Sequence, residues 1–165
     1  MRVLIVDDES LIRMDLRDII ESCGHEVVAE GTNGVEAIKL CKEYKPDIVL
    51  MDVKMPELDG IEAARQIGFH HEAPVVLLTS YSQQDLINKA RESGVYGYLI
   101  KPVREEQLVP TLEMALGRYH SDAELREKMA ELEQSLEDRK IIQKGTGILM
   151  ELYSISEEEI GRAHV

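Results

Sequence analysis

Five short runs of apolar, largely β-branched residues recur along the N-terminal part of the chain: Val3 to Val6, Glu26 to Glu30, Ile48 to Met51, Val75 to Leu78, and Tyr96 to Ile100. Each has the length and composition of a strand. The stretches between them carry helical spacing, as at Leu11, Met14 and Ile19, then at Val35, Ile38, Leu40 and Cys41. Gly24 and Gly94 follow helical patterns where a left-handed cap belongs, and Pro46, Pro56 and Pro74 punctuate the loops. A repeated β-α alternation admits few folds. Parallel neighbours need crossover connections, so the sheet is covered by helices on both faces. A doubly wound α/β unit is expected.

Near Val103 the composition changes to a tract rich in Glu, Lys, Arg and Leu without strand-like runs. Pro110 and Gly117 lie at its start, so a late or kinked helix is expected there. From Leu125 the apolar positions run Leu125, Met129, Leu132, Leu136, the alternating four-three spacing of a heptad seam. Pairing with a second copy, or packing back on the same chain, would each cover it. The formal charge of -13 over 165 residues argues against non-specific attraction to nucleic acid or anionic membrane, since binding there depends on Lys and Arg neutralising phosphates. No run approaches the ~20 apolar residues a membrane helix requires. The chain passes from Met1 straight into a strand pattern without a basic start or cleavage site, so a cytoplasmic location is expected. Cys23 and Cys41 stand far apart in helical segments, which reads as buried or partly buried thiols and not as a zinc or redox pair.

In an open α/β sheet, ligands bind at the carboxyl ends of the strands. Just after the first run stand Asp7 and Asp8, after the third Asp52, after the fourth Thr79, and after the fifth Lys101. The second contributes nothing comparable. Carboxylates gathered without compensation raise each other's pKa, so the cluster implies a cation, and an all-oxygen set points to Mg²⁺. Asp52, alone at the end of the central strand, is the expected nucleophile toward phosphorus, forming an aspartyl phosphate. Lys101 would pair with one phosphoryl oxygen and the Thr79 hydroxyl with another. Lys101 precedes Pro102, and a cis bond is expected there. Taken singly, each residue has a plainer role as a helix cap, a turn hydroxyl or a solvated charge. Their joint placement makes that reading untenable.

The segments VDDE at 6 to 9, LMDVKMPELDG at 50 to 60, LLTSYS at 77 to 82 and YLIKP at 98 to 102 resemble the receiver domain of two-component response regulators. The resemblance covers residues 1 to about 115, with four separated blocks in order and spacing. It implies a flavodoxin-like five-stranded parallel sheet of order 2-1-3-4-5, with a C-terminal helical extension. It also implies a sensor histidine kinase as donor, and Mg²⁺ held by Asp8, Asp52 and the Lys54 main-chain carbonyl, with Asp7 close behind. Tyr98 matches that family's switch aromatic, which turns inward as Thr79 moves toward the phosphoryl group. Such a protein is a phosphoacceptor with self-phosphorylation and dephosphorylation chemistry, and not an enzyme acting on an external substrate.

The segment LEDRKIIQKGTGILMELYSISEEE at 136 to 159 resembles the start of an ANTAR module, the RNA-binding antitermination domain. Gly145, Thr146 and Gly147 stand where that family carries Ala-Lys-Gly, and its final helices are missing. The organisation implied is a receiver at 1–115, a helical linker and candidate coiled coil at 116–137, and a truncated ANTAR-like segment at 138–165. The partners implied are a histidine kinase, an RNA hairpin for a complete module, and a second copy of the chain in a homodimer that phosphorylation could control. Arg139, Lys140 and Lys144 are the candidate RNA contacts, although from Arg104 onward eight Lys and Arg face fourteen Asp and Glu. Ile141, Ile142, Ile148, Leu149 and Met150 read as helix-packing core. His70 and His71 read as loop residues. The sequence GTG at 145 to 147 is no phosphate loop, because no strand precedes it.

Two other classes fit poorly. A haloacid-dehalogenase enzyme wants a second acid two residues after its nucleophile, where Lys54 stands. A DNA-binding regulator wants a complete helix-turn-helix after the receiver, and none fits. A receiver with a coiled-coil tail that acts only on proteins is the remaining alternative to RNA binding.

Overall fold

The structure, a computed structural model, describes residues 1–80 and 84–153, with side chains at 84, 86, 87, 143 and 145–153 left aside. The expectations for Tyr81 and Ser82, for the side chains of Ile148, Leu149 and Met150, and for 154–165 of the ANTAR-like segment therefore lie outside what is described. Ten elements alternate along the chain: β1 (Arg2–Val6), α1 (Ser10–Ser22), β2 (Glu26–Gly31), α2 (Gly34–Tyr44), β3 (Ile48–Asp52), α3 (Gly60–Phe69), β4 (Val75–Thr79), α4 (Gln84–Glu92), β5 (Gly97–Ile100) and α5 (Glu105–Tyr153). The strands form one parallel sheet of order β2-β1-β3-β4-β5. This is the expected doubly wound fold. Gly24 and Gly94 adopt the left-handed conformation, with φ of 84° and 82°.

Alternation along the strands divides the core between two faces. Leu4, Val6, Val49, Met51, Val75 and Leu77 pack with Ala37 and Cys41 of α2, Ala63, Ala64 and Ile67 of α3, and Ala90 of α4. Val3, Ile5, Ile48, Leu50, Val76, Leu78 and Leu99 pack with Leu16 and Ile20 of α1 and Leu108, Leu112 and Ala115 of α5. β3 and β4 are buried along their whole length, as central parallel strands should be. Each fully buried Leu or Ile side chain contributes roughly 1.5–3 kcal/mol of transfer free energy. The polar Asp52 and Thr79 therefore close strands made otherwise of apolar residues.

Several helical positions differ from expectation. In α1, Leu11 and Met14 are exposed, and Leu16 and Ile20 make the buried stripe. Val35 is exposed on α2, where Ala37 and Cys41 face the core. On α2 the small Ala37 and Cys41 side chains form the contact line with the sheet and Val35 sits outside it, whereas on α1 Leu16 and Ile20 form that line and Leu11 and Met14 lie off it. Pro110 does not delay the last helix, which begins at Glu105, two residues past Val103. The Lys101–Pro102 peptide bond is cis. His70 caps α3 and His71 lies in the following turn, both outside regular elements.

The chain divides into two compact units, Met1–Ser121 and Asp122–Val165. Within the second, α5 continues as helix to Tyr153, and Leu125, Met129, Leu132 and Leu136 are all exposed. Ile141 and Ile142 are two-thirds exposed, so the structure does not place them in a packed core within one chain. Among the described residues no helix is long and apolar enough to cross a membrane.

The cysteines separate by environment. Cys23 lies at the end of α1 and is exposed, contrary to expectation, because α1 presents its C-terminal turn to solvent. Cys41 is buried, and burial, reinforced by the charge of Glu72, pushes its thiol up to about 12. At neutral pH one equivalent of a thiol reagent is expected to react with the native chain, at Cys23, and a second only after unfolding. Equal native reactivity at both thiols would contradict this packing. Because the folded thiol holds its proton to higher pH than the unfolded one, Cys41 reduces stability only as pH rises from the ordinary thiol range toward 12.

Candidate functional site

Parallel strands all present their carboxyl ends at one edge, so residues far apart in sequence meet there. β1 is followed by Asp7 and Asp8, β3 ends in Asp52, β4 ends in Thr79, and Lys101 follows β5. Carboxylate oxygens of Asp7, Asp8 and Asp52 lie within 4.8 Å of one another. The Lys101 Nζ stands 3.1 Å from Asp7 Oδ2 and 3.1 Å from Asp52 Oδ2. Asp7, Asp52 and Thr79 are 0%, 6% and 3% exposed, whereas Asp8 is open to solvent. The five residues singled out in the sequence thus fall at one sheet edge, and the lysine bridges two of the acids.

The sheet ladder continues into the site and holds it. The Val53 amide donates to the Leu78 carbonyl at 3.1 Å, and the Lys101 amide donates to the Thr79 carbonyl at 2.7 Å. The Thr79 hydroxyl donates to the Ser80 carbonyl at 3.3 Å. Asp7 has both oxygens engaged: Oδ1 accepts from the Glu9 amide at 2.9 Å, and Oδ2 accepts from Lys101. A cation would therefore draw its protein oxygens from Asp8 and Asp52, with Asp7 behind them. Hard carboxylate oxygens in an open pocket suit Mg²⁺, which retains several waters.

The electrostatics follow from this packing. Burial raises the Asp52 pKa, the charges of Asp7 and Asp8 raise it further, and Lys101 works in the opposite direction without cancelling them. Burial alone would lower the Lys101 pKa, but Asp52 and Asp7 outweigh it and the ammonium is held above its ordinary range. The site thus keeps a permanent cation beside carboxylates that repel one another. Such a site favours a ligand bringing a divalent cation and an anion together, which relieves both imbalances.

The remaining candidates are not carboxylates of this cluster. Lys54 follows Asp52 by two residues and its side chain is exposed. Tyr98 is 43% exposed on β5 and lines a groove of about 710 Å³ with Pro102, Arg104, Gln107, Thr111 and Met114. Lys101 also lines that groove, so one side chain connects it to the acidic cluster. Arg139, Lys140 and Lys144 are exposed on α5 in the second unit.

Two supporting residues escaped the sequence reading. A Cβ on Gly60 would lie 2.0 Å from the Asp52 carbonyl oxygen, and the Gly60 amide donates to the Val53 carbonyl at 2.8 Å. The start of α3 is therefore seated directly on the backbone of Asp52. In the sequence Gly60 appeared as the last residue of the block at 50 to 60, without a role of its own; Asp59 before it caps α3 by accepting from the Glu62 amide at 2.8 Å. The second is Arg13 of α1, whose Nη1 donates to the Asp7 carbonyl at 2.5 Å and whose Nε lies 3.5 Å from Glu30 Oε1. Glu30 belongs to β2, so that strand supports the site indirectly while adding no side chain to the cluster. No pattern in the sequence announces a contact between a helix surface and a carbonyl.

Comparison with known proteins agrees with this geometry. Residues 3–113 match the family model for the response regulator receiver domain. The chain is 42% identical over 158 residues to the transcriptional regulatory protein PdtaR of Mycobacterium tuberculosis (strain ATCC 25618 / H37Rv), covering 96% of this chain and 77% of that one. It is 42% identical over 112 residues to the chemotaxis protein CheY of Thermotoga maritima, covering 67% of this chain and 93% of that one. Among solved structures, the signal receiver domain of a modulated diguanylate cyclase from Desulfovibrio desulfuricans G20 superposes with a TM-score of 0.68 at 33% identity, covering 73% of this chain and 97% of that one.

Proposed function

Since the chain belongs to the response regulator receiver family of two-component systems, we propose that Asp52 accepts a phosphoryl group from a histidine kinase and that the modified chain controls transcription through RNA-binding antitermination. The observation that carries the first part is the ammonium of Lys101 placed 3.1 Å from Asp52 Oδ2 beside Asp7 and Asp8. A carboxylate oxygen of Asp52 attacks phosphorus, the bond from phosphorus to the donor breaks, and the donor leaves with that electron pair. Asp8 and Asp52, with the Lys54 main-chain carbonyl, would hold Mg²⁺, which when bound neutralises charge that otherwise keeps nucleophile and phosphate apart. Lys101 then shifts from its carboxylate partners to a phosphoryl oxygen, and the Thr79 hydroxyl meets another. Tyr98, exposed at the groove that Lys101 also lines, then turns inward with that rearrangement. Phosphorylation acts as a ligand that favours one of two conformations.

For the output, support comes from the tail. The likeness to PdtaR, a transcriptional regulatory protein, extends over 158 residues and so continues past the receiver. The segment from 136 onward resembles an ANTAR module, and Arg139, Lys140 and Lys144 lie exposed on one helix. Pairing of the helical tails of two copies belongs to the same reading. A version carrying a complete ANTAR tail, treated with a small-molecule phosphodonor and Mg²⁺, is expected to retain hairpin RNA at least tenfold more tightly than the same version untreated. Replacing Arg139, Lys140 and Lys144 together by Ala is expected to remove that retention and flatten its salt dependence. If the phosphorylated full-tail protein retains no hairpin RNA, antitermination fails, and a receiver whose coiled-coil tail acts only on proteins takes its place.

A further inference from the structure

Among the described residues the second unit carries an uncovered apolar stripe: Leu125, Met129, Leu132 and Leu136 are 57%, 55%, 65% and 56% exposed along one helix. Their four-three-four spacing places Met129 and Leu136 at the a positions of a heptad and Leu125 and Leu132 at the d positions. The same frame puts Asp122 at a, Arg139 at d, Arg126 and Glu133 at e, and Lys128 at g. Seven acids and three basic residues lie between Asp122 and Arg139. All three basic residues occupy seam or flank positions, but only Asp122 and Glu133 of the acids do. The other five acids face away. The surface around the seam is thus charge-balanced in a segment that is acidic as a whole, which suits a second copy of itself better than an acidic or basic partner.

Orientation follows from which charges meet. In a parallel, in-register pair, each Lys128 faces the second copy's Glu133, which is favourable. That arrangement also stacks Asp122 on Asp122 and Arg139 on Arg139, so both ends of the seam repel. In an antiparallel pair, Leu125 packs on Leu136 and Met129 on Leu132, so every apolar layer is filled. Asp122 then meets Arg139, and Arg126 meets Glu133, each contact occurring twice by symmetry. Sliding the register by one heptad would leave two apolar layers without partners. From these contacts we infer that residues Asp122 to Arg139 of two copies pair as an antiparallel two-stranded coiled coil. The inference rests on the tail pairing proposed above and adds its direction and register. Two heptads make a weak coil. At 1.5 Å per residue the two Asp122 residues end about 26 Å apart along the axis.

Disulfide trapping in the full chain tests this, with Cys23 replaced by Ser so that no exposed native thiol interferes. Under mild oxidation, a mixture of Leu125→Cys and Leu136→Cys chains is expected to give a crosslinked dimer, and neither variant alone is. Efficient crosslinking of Leu125→Cys by itself would establish a parallel pair and overturn the proposal. Charge exchange supplies an independent readout by sedimentation. Glu133→Arg is expected to raise the dimer dissociation constant about tenfold, and adding Arg126→Glu to return it to within about threefold of the starting value. In a parallel coil the second change would rescue nothing, because residue 133 would still face Lys128. A chain that sediments as a monomer up to about 200 μM, with no trapping in the mixture, would reject tail pairing itself. All measurements are made without RNA, so they separate from the outcome for antitermination.

Discussion

Replacing Asp52 by Asn is expected to reduce incorporation of phosphate from a small-molecule phosphodonor with Mg²⁺ to background, while the fold becomes more stable at neutral pH. The first effect follows because an amide lacks the charged oxygen that attacks phosphorus. Thr79→Ala, by contrast, leaves that oxygen in place and should still label. The second effect follows from the site's electrostatics: burial, then the charges of Asp7 and Asp8, raise the pKa of Asp52. A carboxyl whose folded pKa exceeds its unfolded value costs stability once pH climbs above it. The midpoint of thermal unfolding for Asp52→Asn should therefore exceed that of the parent at pH 7, and the difference should vanish as pH falls through the ordinary carboxylate range. A variant that still takes up acid-labile phosphate stoichiometrically would move the acceptor elsewhere. One that unfolds at lower temperature than the parent at pH 7 would contradict the strained cluster.

Gly60→Ala is expected to destabilise the chain by about 3 kcal/mol, at the upper end for overpacking a well-filled contact. The added methyl meets the Asp52 carbonyl oxygen at 2.0 Å, and neither side of the contact is a flexible side chain. Relief requires α3 to lift from the end of β3 or the Asp52 peptide to tilt. Either movement displaces the carboxylate from Lys101, so phosphorylation should slow in the same variant. Denaturant unfolding and the rate of phosphate uptake measure the two effects. Gly117→Ala is a control, because nothing lies within 4 Å of a Cβ at that position. Equal stability of the two variants would show that the close approach at Gly60 is not rigid.

The contrast between these two residues shows where sequence reading succeeds. Asp52 was legible because a lone acid directly after a buried β-branched run has a place in a parallel sheet. Asp7, Asp8, Thr79 and Lys101 were legible for the same reason, the two acids standing after the first run, Thr79 after the fourth and Lys101 after the fifth. Gly60 and Arg13 were not, since they act by fitting against backbone atoms brought near only by folding. The exposed faces of α1 and α2 were misread in the same way. Periodicity marks which residues are apolar, but which of them meet the sheet depends on how each helix is seated: α1 rests on Leu16 and Ile20 and leaves Leu11 and Met14 outside, while α2 rests on Ala37 and Cys41 and leaves Val35 outside.

Local composition and order along the chain determined the strand count, the parallel sheet and the identity of the acidic, hydroxyl and ammonium groups at its edge. Those features depend on periodicity and on the geometry of crossover connections, both of which act over short distances in sequence. Only the tertiary structure decided that Lys101 bridges Asp7 and Asp52, that Asp7 is spoken for by Lys101 and the Glu9 amide while Asp8 stays open, and that Gly60 and Arg13 brace the site. These depend on distances of a few ångströms between residues up to 94 positions apart. Coulomb energy and van der Waals contact vary steeply over such distances, and no pattern in a linear chain encodes them directly.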